Sequence, residues 1–263
     1  MQRLFQAAGL IHADGVPVQD TSQADLDRFA LKDYYQNRYH EELSEEIPPR
    51  LLQNLGLLKS EQLTLAGLLL FGKNPQQFKP VFVVKAIVFP GDHVDISQYV
   101  DNEDIEGNLM QVYKDSFAFV RRNLHHVQNG QEVNSLGQLE IPPIVFKELL
   151  VNALIHRDLF ISAPIRLFIF QNRIELMSPG HLPNHLTIEQ VCCGLSNMRN
   201  PILATHATHI LPYRGLGTGI PRVLETYNAV EFTDDHEANQ FKVVIKRPPG
   251  DSNNPTRESM PLS

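Results

Sequence analysis

The sequence predicts an α/β protein, a two-layer α+β sandwich with helices laid on a sheet, and three observations carry that expectation. Residues 147–158 lie in a helix apolar nearly all round, with Phe146, Leu149, Leu150, Val151, Ala153, Leu154 and Ile155 leaving little polar surface, as in a helix inside a domain. Residues 165–170 and 173–177 are short apolar runs separated only by Gln171-Asn172, the spacing of a tight hairpin. Short helical patterns and a closing strand at residues 241–246 follow, so helices and strands share one compact unit.

Taken in order, residues 1–55 read as helical. Residues 3–8 suggest a helix end, Thr21 or Ser22 can cap the next helix, and residues 25–38 carry Leu26, Phe29, Ala30 and Tyr34 at helical spacing. A short apolar helix is expected around residues 63–71, a turn at residues 72–75, a β run at 81–89 closed by Pro90, and a helix from about 104 to 124. The acidic cluster at residues 101–106 reads as charge at that helix's N-terminus, where the dipole favours it. Glycines and asparagines at residues 128–135 form a linker. Pro142 and Pro143 then open the apolar helix, a place where proline's missing N–H costs nothing. Beyond the hairpin come a turn at residues 178–183, a short helix at 187–193, a helix opened by Arg199-Asn200-Pro201 and running to about 210, and a helix at 220–227. Residues 248–263, rich in Pro, Ser and Asn, read as a disordered tail.

Composition excludes several classes. With 263 residues, 42% of them hydrophobic, the chain can bury a sizeable core. No apolar run reaches the roughly 18 residues of a membrane span and no signal-peptide core is visible, so a cytoplasmic protein is expected. Cys192 and Cys193 are adjacent and have no third partner, which points to reduced thiols. A net charge of −7 is unsuited to a general nucleic-acid clamp.

Two constellations carry chemistry. Glu148, Asn152 and His156 are spaced i, i+4, i+8 and stack in one row on the apolar helix. Polar groups buried without partners cost roughly 1–3 kcal/mol each, so protein, water, metal or ligand must face that row. The purely structural alternative pairs Glu148 with a buried arginine such as Arg166 and bonds Asn152 to backbone. The second constellation is Gly215-Leu216-Gly217-Thr218-Gly219 before a helix. Glycines let backbone approach a ligand, and the helix N–H groups suit phosphate, although the same residues also serve a plain flexible turn.

These motifs are collinear, and their order resembles the GHKL (Bergerat-fold) ATPases, among them gyrase B, heat-shock chaperones and histidine kinases. The closer similarity is to the C-terminal domain of bacterial transcriptional regulators labelled RecG-related ATP-dependent DNA helicases. It rests on Glu148 through Asp158, on Ile174 through Pro183, on Arg199-Asn200-Pro201, on Arg214 through Ile220, and upstream on Leu63 through Lys73. The resemblance runs from about residue 1 to 247. It implies the tail of a Schlafen AlbA-type domain and helical linker over 1–55, a connecting α/β region over 56–135, a GHKL-like ATP-binding domain over 136–247, and the tail over 248–263.

The resemblance also implies cofactors and roles. ATP and Mg²⁺ are the expected ligands, with Asn152 holding the metal through the phosphates and Glu148 acting as general base toward water. Gly180, Arg214, Gly215, Gly217, Thr218 and Gly219 would surround the nucleotide, while His156 and Asp158 orient Asn152 or line the pocket. A Mg-dependent ATPase is thus the expected activity, and DNA contact would fall to the AlbA-type domain, most of which lies before Met1 in related chains. The alternative is an inactive GHKL-like module for dimerisation or protein interaction, with a homo-oligomer compatible with both.

Departures shape these expectations. The adenine-reading motif Asp-x-Gly-x-Gly is replaced by Ser178-Pro179-Gly180-His181, so the phosphate end of the site matches the pattern and the base end does not. Residues 67–74 approach a phosphate loop, but position 74 is Asn and an apolar helix precedes, so no helicase motor is expected. Histidines 181, 185, 206 and 209 with Cys192 and Cys193 have spacings open to zinc, against the commoner fate of isolated surface or core residues. His125-His126 reads as a solvated helix end.

Overall fold

The computed structural model describes residues 12–95, 97–127 and 138–249. The expected helix end at residues 3–8, the linker at 128–135 and most of the tail at 248–263 lie outside them. The first α-helix among the described residues, α1 (Arg28–Tyr39), starts at Asp27, whose carboxylate accepts from the Phe29 and Ala30 amides, and ends at His40 in the left-handed region (φ 59°). A short α2 (Pro49–Asn54) leads into the two-residue hairpin β1 (Leu58–Lys59) and β2 (Gln62–Leu63). The next helix, α3 (Leu65–Phe71), is capped by the Thr64 hydroxyl and every one of its residues is buried. Then come α4 (Pro75–Phe78), β3 (Val84–Val88), β4 (Asp101–Ile105) and α5 (Leu109–Asn123). After β5 (His126–Val127) and β6 (Gln138–Leu139), the C-terminal half contains α6 (Pro143–His156), β7 (Ile165–Ile169), β8 (Arg173–Pro179), α7 (Ile188–Cys192), α8 (Pro201–Ala207), α9 (Gly219–Thr226), β9 (Val230–Asp235) and β10 (Gln240–Lys246).

A six-stranded mixed sheet organises the molecule, in the order β4-β3-β7-β8-β10-β9. Only β3 and β7 run parallel. They are joined by a connection that includes α5 and α6, as parallel neighbours require. The strand pattern explains the two layers: in β3 and β7, Val84, Ala86, Val88, Ile165, Leu167 and Ile169 are buried while Lys85 and Arg166 are exposed. The period of two sends the apolar set to one face. Helices α5 and α6 pack on each other and on the sheet, α5 against β3 and α6 against β8. The sheet draws strands from residues 84–105 as well as from 165–246, so it spans the expected division near residue 135.

Two strands of the six-stranded sheet escape the sequence patterns. Residues 101–105, expected to charge a helix terminus, instead form the edge strand β4, and the helix begins only at Leu109 under an Asn108 cap. Their carboxylates are matched across the fold: Arg122 reaches Asp101 at 3.0 Å and Glu103 at 2.6 Å, and Lys85 reaches Asp104 at 2.6 Å. Pairing with β3 and these cations outweighs the low strand propensity of Asp, and charge suits an unpaired sheet edge. Strand β9 is likewise an edge, polar enough to hide its alternation. The helix expected to reach residue 210 stops at Ala207, and Ser178-Pro179, expected in a turn, finish β8. His126 belongs to β5 and not to a helix end.

The segment before α1 clamps the C-terminal half. Asp14 is fully buried and its Oδ2 accepts from the Ile202 and Leu203 amides at 2.7 and 3.0 Å, capping α8 from 188 and 189 residues away. Burial raises this carboxyl above its usual range, against the lowering effect of those amides. Nearby, the His206 Nε2–H donates to the Leu55 carbonyl at 2.8 Å, leaving Nδ1 to accept from the Tyr34 hydroxyl, which accepts in turn from Arg38. Burial holds the Tyr34 phenol protonated, its pKa pushed up to about 12. Asp14→Ala strands two helix amides in a sparsely hydrated place and is expected to lower unfolding free energy by about 1–2 kcal/mol. Urea denaturation at neutral pH measures this, and an unchanged midpoint would show that the remote cap contributes nothing.

Candidate functional site

Helix α6 is the floor of a cleft of about 1080 Å³, its open mouth included. Buried residues occupy nearly every turn of α6; Lys147 is exposed to solvent, and the other three polar side chains meet the cleft. Glu148, Asn152 and His156 all line it, together with Gly180, Arg214, Gly215, Gly217, Thr218 and Gly219. Of the residues expected to hold or surround the nucleotide, only Asp158 stands outside. It lies behind Gly180, its Oδ1 accepting from the Phe160 amide at 2.9 Å and its Oδ2 3.8 Å from Arg199.

Each member of the polar row is held by a protein group. Glu148 Oε1 accepts from Arg222 Nη1 at 2.7 Å, so the structural expectation of an arginine partner is met by a different one. Arg166 is on the outer face of the sheet, where it bonds Gln240. The Asn152 Nδ2 donates to the Glu148 carbonyl at 2.7 Å. A carbonyl can only accept, which fixes the amide orientation and leaves Oδ1 as the acceptor. His156 Nε2 is 3.3 Å from the Tyr213 hydroxyl. Burial, then the nearby Arg199 charge, depresses the His156 pKa to about 4, so the ring is neutral at physiological pH.

The walls are built from glycines because the backbone must come close. At Gly180 (φ 97°) a Cβ would stand 2.4 Å from Arg199 Nη1 and 2.5 Å from the Asp158 Cβ. At Gly217 (φ 72°) it would meet the Gly194 carbonyl oxygen at 1.9 Å, so the loop before α9 lies directly on the segment after α7. Gly219 packs its Cα on the polar row, where a Cβ would sit 2.6 Å from Glu148 Oε2. Thr218 precedes α9 without a side-chain cap bond, and the first turn of α9 holds no acidic residue. The terminal amides there are open to an anion.

The other end of the cleft is apolar, with Leu182, Leu186, Val191 and Phe241 among its walls. Ser178, standing where the adenine-reading aspartate is expected, donates its hydroxyl to the Ala153 carbonyl at 3.1 Å. Sequence reasoning missed Arg222 and Tyr213; Arg222 stands one turn into α9, where four-residue spacing from Thr218 was the available signal. The zinc candidates do not assemble as spaced in the chain: His206 is tied to Tyr34 and Leu55, His185 is exposed, and Cys192 and Cys193 are free thiols. Of the phosphate-loop lookalike at residues 67–74, residues 67–71 are buried helix, with Gly67 pressed on the Leu57 carbonyl.

Comparison with known proteins gives one family match and a structural likeness. Residues 162–245 match a family model described as "Putative ATP-dependent DNA helicase recG C-terminal". That model describes the C-terminal part of RecG-related proteins. It covers β7 through nearly all of β10, including Gly180 and the glycine loop, whereas α6 with its polar row precedes it. A crystal structure of the DIP2311 protein from Corynebacterium diphtheriae is similar in fold at 20% identity and a TM-score of 0.64, over 93% of this chain and 49% of that one. The chain therefore spans about half the length of that protein. A search of the curated proteins finds no match. Among the described residues, no helix is long and apolar enough to cross a membrane.

The neutral state of His156 has a measurable consequence for stability. Its folded pKa of about 4 lies below the ordinary 6.5, so the unfolded chain binds the extra proton between those values and stability falls as pH drops from about 6.5 toward 4. The loss approaches about 3 kcal/mol. His156→Gln should flatten that acid arm in chemical denaturation between pH 7 and 4; an identical profile in the variant would assign the loss to other groups.

Proposed function

We propose that the cleft binds a Mg²⁺-associated nucleoside triphosphate, ATP being the candidate, and that the domain serves a RecG-related transcriptional regulator. One observation carries the reading: an oriented amide oxygen, a carboxylate and an uncapped helix N-terminus converge across the glycine loop in a single cleft. The residues fit such a ligand. Asn152 Oδ1 is a hard oxygen donor suited to Mg²⁺. The close approach of Gly219 and Gly217 keeps side chains out of the path of the α9 amides, and Arg214 adds positive charge at the mouth. The bound nucleotide would supply a phosphoanhydride and the metal would neutralise its charge.

Glu148 can take a proton from water through the carboxylate oxygen that Arg222 does not hold, with Arg222 fixing its orientation. The same pair supports the second reading, a non-hydrolysing interaction module, because a guanidinium already occupies half of the carboxylate. DNA contact is proposed to lie with other parts of the regulator, since this chain carries a net charge of −7.

Mg-ATP is expected to raise the melting temperature of the protein, and Asn152→Ala to abolish the rise. With no protein acceptor of aspartate type at the base end, GTP should shift it about as far as ATP. Glu148→Gln keeps the shift and lowers hydrolysis by about 10²–10⁴-fold if the protein is an ATPase. A shift without hydrolysis in the unaltered chain selects the interaction module, and no shift with any triphosphate removes the nucleotide reading.

A further inference from the structure

At the rim of the cleft, three side chains from separate parts of the chain meet. A ring nitrogen of His181, a carboxylate oxygen of Asp234 and a ring nitrogen of His236 lie within 4.8 Å of one another. His181 follows β8, Asp234 is in β9, and His236 begins the turn to β10. The two imidazoles are 4.6 Å apart between ring centres. His236 Nε2 is 3.0 Å from Asp234 Oδ2, close to the spacing of about 3.3 Å expected for two ligands sharing a tetrahedral zinc with bonds of about 2.0–2.1 Å.

The surroundings of the trio are those of metal ligands. The backbone of one residue, Leu182, orients two of the three. Its carbonyl accepts the Nδ1–H of His181 at 2.8 Å, and its N–H donates to Asp234 Oδ1 at 2.8 Å. The first bond fixes the neutral tautomer of His181 and leaves Nε2 with its lone pair; the second leaves Oδ2 of Asp234 for another partner. Outer hydrogen bonds of this kind from histidine to backbone and from an amide to carboxylate are the usual supports of a ligand set. Asp234 is mostly enclosed, whereas His236 is largely exposed and free to close on an ion.

We propose that His181, Asp234 and His236 form a binding site for a zinc-class divalent cation, with the fourth coordination position open to water. Two imidazoles and one carboxylate suit zinc and neighbouring transition ions and disfavour Mg²⁺, which demands oxygen ligands in octahedral array. The ion would fasten the loop after β8 to the β9–β10 hairpin beside the cleft mouth. This assignment stands independently of the nucleotide reading, because neither Asn152 nor the glycine loop takes part.

The test uses the full chain, freed of metal by chelation and titrated without nucleotide. Calorimetry with Zn²⁺ should show one ion per chain, and Co²⁺ should develop the visible absorption of a low-coordinate site. His236→Ala, a surface change that leaves the fold intact, should weaken binding at least about tenfold, with His181→Gln doing the same. Cys192→Ser, Cys193→Ser and His185→Ala should leave affinity unchanged. Absence of zinc binding overturns the proposal, as does undiminished binding in His236→Ala or loss of binding in a cysteine variant.

Discussion

A helix that is apolar on nearly every side can only be stable inside the molecule, and that requirement on α6 governs the rest of the structure. Valine, leucine, isoleucine and phenylalanine along residues 145–155 are removed from water by the sheet on one side and by α5 and α9 on others, each fully buried side chain contributing roughly 1.5–3 kcal/mol. Glu148, Asn152 and His156 travel inward with them, and every one needs a partner. The Arg222 guanidinium, the helix's own carbonyl and the Tyr213 hydroxyl supply these. Because two of these partners stand on α9 or on the loop before it, that segment is drawn against the polar row. The closeness of that approach then dictates glycine at 217 and 219, where a Cβ would collide with the Gly194 carbonyl and the Glu148 carboxylate.

The far end of α6 depends on contacts remote in sequence. The Asn200 side-chain amide donates to the Ile155 and Arg157 carbonyls at 2.9 and 2.8 Å, closing the last turn of the helix. Asn200 in turn precedes α8, whose first amides are held by Asp14. A buried carboxylate near the start of the chain, a helix near its end and the terminus of the central helix therefore form one connected set of hydrogen bonds. That connection ties the N-terminal helices to the cleft-bearing half through polar geometry as well as through the packing of α3 on α5 and α8.

Much of this was legible in the sequence. Elements with strong local signals, such as α6 with its prolines and apolar turns, the β7–β8 hairpin at Gln171-Asn172 and the helix after the glycine loop, stand where patterns placed them. The two edge strands were not, because β4 and β9 are stabilised by partners: acidic residues at 101–104 form a strand through β3 and through cations from Arg122 and Lys85, none of which local propensity registers. The assembly of Glu148, Asn152, His156 and the glycines in one cleft followed from motif order. Arg222 as the partner of Glu148 did not, since spacing along α6 says nothing about which arginine a later helix brings back. The same limit applies to His181, whose neighbours Asp234 and His236 lie more than fifty residues further on and reach it only through sheet pairing.

The contrast between the two ends of the cleft has a simple electrostatic origin. Ser178 gives its hydroxyl proton to the Ala153 carbonyl, which belongs to the α6 backbone. An aspartate in that position would oppose a carboxylate to a carbonyl oxygen, two acceptors without a proton between them, and the burial of the site would make that repulsion costly. Serine thus matches the local placement of α6, and the apolar walls formed by Leu182, Leu186, Val191 and Phe241 are left to accommodate whatever ring enters. Apolar walls sense size and shape but discriminate weakly between rings of similar volume. On the nucleotide reading, discrimination at the opposite end would rest on charge and directed amides, which fall off steeply with misplacement. On the nucleotide reading, affinity in this protein is anchored at the phosphates, and the identity of the base enters mainly through the space it fills.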